Sequence, residues 1–216
     1  IIYAGEDSLR RNTLFNSNSF QYLDDFESFQ SLKRYDDVTA DFDVRSIFTE
    51  DNENTNPLDI YIEQRLLAWN DEDEFLIQQY KLENRSGSNY DSLYFALFND
   101  YAIGEKLNNS IKYDSALQLS YAFDDSENEY VGLSLLTGQD SVFYAFDLGN
   151  ENGHDSDLQN DSLTQDVVRN ALLNSFSKQS AGSLSGGNNI GSLHGICLAG
   201  FSAGSSQMVS FAIMRA

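Results

Sequence analysis

Residues 92 to 103, SLYFALFNDYAI, carry apolar side chains on both faces of an extended chain at once. Leu93, Phe95 and Leu97 share one face, and Tyr94, Ala96 and Phe98 share the other. Such a strand needs cover on both sides, so it predicts the middle of a sheet. The two stretches before it alternate instead. Over 59 to 69, Ile60, Ile62, Leu66 and Ala68 fall on one side, with Glu63 and Arg65 opposite. Over 74 to 84, Leu76, Tyr80 and Leu82 do the same. Period 2 predicts half-buried strands, separated by polar connectors at NDED and NRSGSNYD.

Further strands are expected at 1–5, 36–48, 115–124, 130–137, 141–149, 193–199 and 206–214. In 115–124, Leu117, Leu119, Tyr121 and Phe123 share a face. TGQD between 130–137 and 141–149 reads as a hairpin connection. Residues 6 to 35 show no period and read as mostly loop. Residues 163 to 177 change period: Val168, Leu172 and Phe176 are four apart, and Ser162 with Gln165 suits a capping box. A Gly/Ser-rich loop follows at 180–192. The expected fold is all-β, an antiparallel β-sandwich with one short helix. One domain spans 1–216, with a loop-rich segment at 1–35, core strands over 58–149, the helix at 163–177 and a closing hairpin at 193–214. The 216 residues and 27 Phe plus Tyr are enough to bury a core.

A formal net charge of -21 makes nucleic acid and anionic membranes poor partners. No apolar run approaches the roughly 18 residues of a membrane helix. The opening IIYAG has no signal-like character, and the chain reads as a mature form or an excised fragment. Cys197 stands alone, so no internal disulfide forms, and its neighbours place it in a buried strand.

The sharpest catalytic pattern is Gly200-Phe201-Ser202-Ala203-Gly204, a G-x-S-x-G sequence. The hydrolase elbow of that form needs an acid and a histidine downstream. None follows, and His154 and His194 both lie upstream, so the segment is read as a tight turn. Two distant histidines with one cysteine give no zinc motif. Acidic turns offer oxygen ligands for Ca²⁺, with Asp100, Asp124 and Asp125 as candidates, against the plainer reading of solvated acidic loops. Asp-Ser followed by a small or branched apolar residue recurs at Ser8, Ser92, Ser115, Ser141 and Ser162. These are candidate O-glycosylation positions, or strand-start capping serines.

Glu63 to Trp69, Tyr80 to Asn84 and Leu93 to Gly104 together resemble a β-sandwich domain of secreted bacterial multi-domain proteins. That domain often stands C-terminal to subtilisin-like (S8) peptidase domains. Tyr113-Asp114, Tyr121 to Asp124, Tyr130-Val131-Gly132 and Ala203-Gly204-Ser205 before Phe211-Ala212-Ile213 extend the resemblance. Ala102 stands where the family pattern has an Asp, which weakens any cation site there. The resemblance implies an extracellular or cell-surface location. It also implies a non-catalytic structural, adhesive or assembly role through protein–protein contacts, as a surface or filament subunit. The alternatives are an accessory domain of a secreted protease and, more distantly, a serine hydrolase using Ser202.

Overall fold

The computed structural model describes residues 2–4, 10–11, 15–16, 21–22, 26–35, 40–50, 57–124, 126, 128–137, 140–149, 157, 164–182 and 187–216. The strands in chain order begin with β1 (Ile2–Ala4), β2 (Arg10–Arg11), β3 (Phe15–Asn16), β4 (Gln21–Tyr22), β5 (Phe26–Tyr35) and β6 (Phe42–Glu50). There follow β7 (Ile60–Trp69), β8 (Glu72–Asn84), β9 (Tyr90–Tyr101), β10 (Asn109–Asp114), β11 (Leu119–Asp124) and β12 (Glu129–Leu135). β13 (Ser141–Asp147), helix α1 (Gln165–Leu173), β14 (Ser180–Ala181), β15 (Ile190–Phe201) and β16 (Ser206–Arg215) complete the order. The expected antiparallel β-sandwich with a single short helix is the observed architecture.

Two sheets carry the fold. The larger has nine strands in the order β14-β10-β11-β12-β16-β8-β7-β6-β5, and the smaller has five, β13-β15-β9-β1-β2. β3 and β4 pair separately. Between the sheets, Leu93, Phe95 and Ile196 of the smaller sheet meet Tyr80, Leu82, Leu133, Val209 and Phe211 of the larger. On its other side the smaller sheet is covered by α1, whose Val167, Val168, Ala171 and Leu172 pack on Ala96, Val142, Phe146 and Leu193. That double cover is why β9 is apolar on both faces. The N-cap of α1 is Thr164, whose side chain accepts from the Val167 amide, two residues later than the Ser162 expected.

Several expectations are corrected by the sheet assignment. Residues 26–35 are not loop but the ten-residue edge strand β5. Its register with β6 shifts twice, between Ser28 and Gln30 and between Gln30 and Lys33, and this removes the regular alternation by which strands are read. TGQD does not close a hairpin: β12 lies in the larger sheet and β13 in the smaller. The same holds for the expected closing hairpin at 193–214, since β15 and β16 belong to different sheets. Strand partners lie far away in sequence, and local turn chemistry does not choose between pairing and crossing over. β10 was not anticipated at all; its NSIKYD sequence mixes polar and apolar residues too evenly.

Two interior features belong to β15, the neighbour of β9 in the smaller sheet. Gly195 of β15 sits opposite Ala96 of β9, and a β-carbon there would lie 2.0 Å from the Phe95 carbonyl oxygen and 2.5 Å from Ala96 Cα. His194, next to it, has no exposed surface. Its Nδ1 lies 3.1 Å from Ser120 Oγ, which itself donates to the Leu133 carbonyl at 3.2 Å. The serine proton is thus used, so Nδ1 carries the ring hydrogen and Nε2 is a bare acceptor with no partner. Tyr113, Phe143 and Phe211 meet the imidazole edge to face. Burial holds its pKa down at about 4.

The pH dependence of stability follows. Above pH of about 6.5, His194 is neutral in both folded and unfolded chains and its contribution is complete. As pH falls from there toward 4, the unfolded chain binds a proton that the native site refuses, and about 3 kcal/mol of stability is lost. Urea midpoints taken from about pH 7 to pH 5 should fall in the native sequence, and most of that slope should vanish in His194→Gln. Gly195→Ala must push β9 and β15 apart, at an expected loss of more than about 3 kcal/mol. A thermal midpoint within about 5 °C of the unmutated chain would contradict that.

Candidate functional site

β11 inverts the ordinary logic of a sandwich strand. Ser120, Ala122 and Asp124 face the interior and are buried. Leu119, Tyr121 and Phe123, the bulkier and more apolar set, lie on the opposite face, where Leu119 and Tyr121 are half-buried and Phe123 is covered to 7% exposure. The reason lies across the core. Tyr113, Phe143 and His194 already fill the space under β11, leaving room only for small inward side chains.

The outward rings form a platform. Tyr121 and Phe123 are near parallel, with centroids 6.0 Å apart at 27°. Phe123 and Tyr130 of β12 are 5.8 Å apart at 25°. They stand directly across the strand pair, which brings them together. The Lys112 ammonium lies over the Phe123 ring at 5.2 Å. Opposite Tyr121 on β12 is Gly132, flanked in turn by Met214 on β16. Beside Tyr121 and Gly132 the surface opens into a groove of about 590 Å³. Its walls are Phe75, Leu119, Tyr121, Tyr130 and Met214, and Glu74, Asp114 and Arg215 supply the charged groups. Asp114 uses Oδ1 to accept the Ala116 and Leu117 amides at 2.8 and 3.2 Å, which fixes its carboxylate at the rim.

A second hollow, of about 260 Å³, lies between α1 and β13, beside Tyr144, Asp157 and Asn170. Its charged neighbours are already committed. Lys178 Nζ bridges Asp147 Oδ2 at 2.7 Å and Asp157 Oδ2. Asp147 Oδ1 also accepts the Gly182 amide and Asn188 Nδ2. Burial opposes the charge of Asp147, but these bonds outweigh it and hold its carboxyl below the usual range. On the larger sheet Asp43 has no exposed side-chain surface and receives Arg65 at 2.7 Å and Arg45 at 2.9 Å. The two guanidiniums, Arg65 foremost, hold its pKa at about 2. Both arrangements are structural clamps.

The residues singled out from sequence do not assemble. Asp100 is an exposed residue of the smaller sheet, paired with Lys106 at 3.2 Å. Asp124 is buried in the larger sheet, with Oδ1 accepting the Ser126 amide and hydroxyl. Asp125 is outside the described residues. Among the described residues no group of three or more His, Cys, Asp or Glu converges as a metal site. Of the candidate glycosylation serines, Ser115 is exposed in a turn, Ser92 and Ser141 are half-buried in strands, and Ser8 and Ser162 are outside the described residues.

Ser202 sits in the turn between β15 and β16, its hydroxyl donating to the Gly200 carbonyl at 3.3 Å. Asn89 and Asn84 hold the turn through the Ala203 and Gly204 amides, and Gly204 takes φ of 72°. His194 lies eight residues up the same strand, roughly 26 Å away at strand rise, and is walled into the core. His154 is outside the described residues. The groove has no counterpart among the sequence expectations, which place Leu119, Tyr121 and Phe123 on one face of a strand; the signal available for it is Gly132 within β12.

The strand edges bear on assembly. β14 and β2, which end the two sheets, are two residues each, and β5 is twice bulged. β13, the remaining edge, is occupied along its length. Phe143 N donates to Ser175 Oγ, Phe176 N to Phe143 O, Ala145 N to Lys178 O and Asp147 N to Asp157 Oδ2. Short, bulged or covered edges resist strand addition.

No family model matches this chain, and no curated protein does. Among solved structures, one described as a "putative aldose 1-epimerase" from Escherichia coli K12 is similar at 6% identity and a TM-score of 0.47. The match covers 86% of this chain and 68% of that one. The expectation of a non-catalytic structural, adhesive or assembly module, and of no enzyme, is corrected on this finding: the neighbour bears an enzyme's description. At this TM-score the likeness transfers neither activity nor substrate, and the groove on β11, β12 and β16 must be read on its own chemistry.

Proposed function

We propose that this chain binds a saccharide in the groove on the outer face of the larger sheet. One observation carries the reading: Tyr121 and Tyr130, near-parallel to the buried Phe123 ring between them, line an open groove that also holds Glu74, Asp114 and Arg215. A sugar ring has a flat, C–H-rich face and a periphery of hydroxyls. The face suits an aromatic surface, and the hydroxyls suit carboxylates, a guanidinium and phenols. Glu74, Asp114, Arg215 and the two tyrosine hydroxyls supply that set. The volume falls in the range of small-molecule sites.

Competing ligand classes fit less well. The charge of -21 opposes nucleic acid. The blunted edges oppose an extended peptide added as a strand.

Titration of the whole chain with a panel of aldohexoses and their disaccharides, followed by ligand-observed NMR and calorimetry, tests this. At least one sugar should bind. Tyr121→Ala should weaken it about tenfold or more, equivalent to about 1.4 kcal/mol, with the chain still folded, since Tyr121 is only half-buried. A folded chain that binds no panel member at millimolar concentration overturns the reading.

A further inference from the structure

Resting on the saccharide reading, we infer that the groove prefers sugars carrying a free amine, held as an ammonium, over their neutral and acidic counterparts. The preference follows from which charges line the groove and does not depend on how a sugar ring lies in it. Two carboxylates line it, Glu74 near the start of β8 and Asp114 at the end of β10. Neither forms an ion pair with a described residue. Asp114 is already positioned: its Oδ1 accepts the Ala116 and Leu117 amides, and its Oδ2 accepts from no described residue. Arg215 is the one cation among the described lining residues, and it pairs with neither carboxylate. Lys112, opposite Tyr121 on β10, is held over the Phe123 ring and does not line the groove.

One guanidinium against two carboxylates leaves the lining net negative. A sugar hydroxyl meets these carboxylates as a neutral donor. An ammonium in its place donates charge-assisted hydrogen bonds, roughly twice as strong. The Tyr121 and Tyr130 rings attract a cation as well. The lining is half-exposed, so water and salt screen much of this and the effect is modest. Asp114 is fixed before binding, so little of the gain is lost in ordering it. The net charge of -21 acts in the same direction, drawing a cation in and turning a uronic acid away. N-acetylation removes the ammonium, so acetamido sugars fall with the neutral parents. Glu74 and Asp114 are thus the specificity-determining residues of the groove.

Methyl glycosides of D-glucosamine, D-glucose, N-acetyl-D-glucosamine and D-glucuronic acid, with the matching galactose set, test this. Each is titrated into the whole chain by calorimetry at about pH 6, where the amine is protonated. At about 20 mM salt, at least one amino sugar should bind about threefold or more tightly than its neutral parent, and the ratio should shrink at about 0.3 M. The double variant Glu74→Gln/Asp114→Asn keeps an acceptor for the Ala116 and Leu117 amides and moves the net charge only from -21 to -19. It should erase the preference while neutral sugars still bind. A preference that survives in the double variant belongs to the field of the whole chain and overturns the assignment. Neutral parents that bind as tightly at low salt overturn it too, and leave the saccharide reading standing. Failure of every sugar to bind removes both.

Discussion

The contact on which this structure depends is aromatic and spans the two sheets. Phe95 of β9 meets Tyr80 of β8 at 4.9 Å and 58°, and Tyr80 meets Phe211 of β16 edge to face at 6.3 Å. Phe211 is wholly buried. These rings tie the middle of the smaller sheet to the middle of the larger one and set their separation. Aromatic pairs of this geometry add attraction beyond the area they bury. Further along, Phe211 also meets the His194 ring, which joins this contact to the cluster of Tyr113 and Phe143. The interior is therefore one connected aromatic layer, with a neutral imidazole inside it.

That layer has a consequence at the surface. Where it is thickest, under β11, only Ser120 and Ala122 fit inward, and Ser120 is needed to accept the imidazole hydrogen. Period 2 then puts Leu119, Tyr121 and Phe123 on the outer face, where Leu119 and Tyr121 stay half-exposed and Phe123 is covered by its neighbours. An exposed apolar patch of this kind costs solubility unless something uses it. The groove follows from how the core is filled, because the core displaces the bulky residues of this strand to the outside.

Much of this was legible and some could not be. β7 and β8 are legible where they alternate, with Ile60 and Ile62, and Tyr80 and Leu82, buried on one face; past Gln64 the pattern fails, since Leu67 is buried and Leu66 and Ala68 are half-buried. β9 was readable as two-sided, although only the structure shows that α1 is the second cover. β5 was illegible because two register shifts break its period, and Phe29 and Leu32 face solvent despite their type. The face assignment of β11 could not be had from the strand itself. Leu119, Tyr121 and Phe123 look like core by every local rule, and only the filling of the opposite side by Phe143 and His194 turns them outward. The G-x-S-x-G segment was read correctly as a turn, because the chain downstream of Ser202 lacks the partners that chemistry requires.

The distribution of charge completes the argument about where a partner can approach. The chain has a formal net charge of -21, and two of its inner carboxylates are tied up: Asp43 by two guanidiniums, Asp147 by Lys178, the Gly182 amide and Asn188. The remaining acidic side chains surround the molecule with a field that repels anions at long range. The strand edges are short, bulged or covered, so extended chains find no template. A neutral, hydroxyl-rich ligand escapes both obstacles. It crosses the field without Coulomb cost and needs a face instead of an edge. The groove that β11, β12 and β16 offer sets Tyr121, Tyr130 and Met214 beside Asp114 and Arg215, which is where an uncharged polar molecule with one apolar side exchanges its water at least loss.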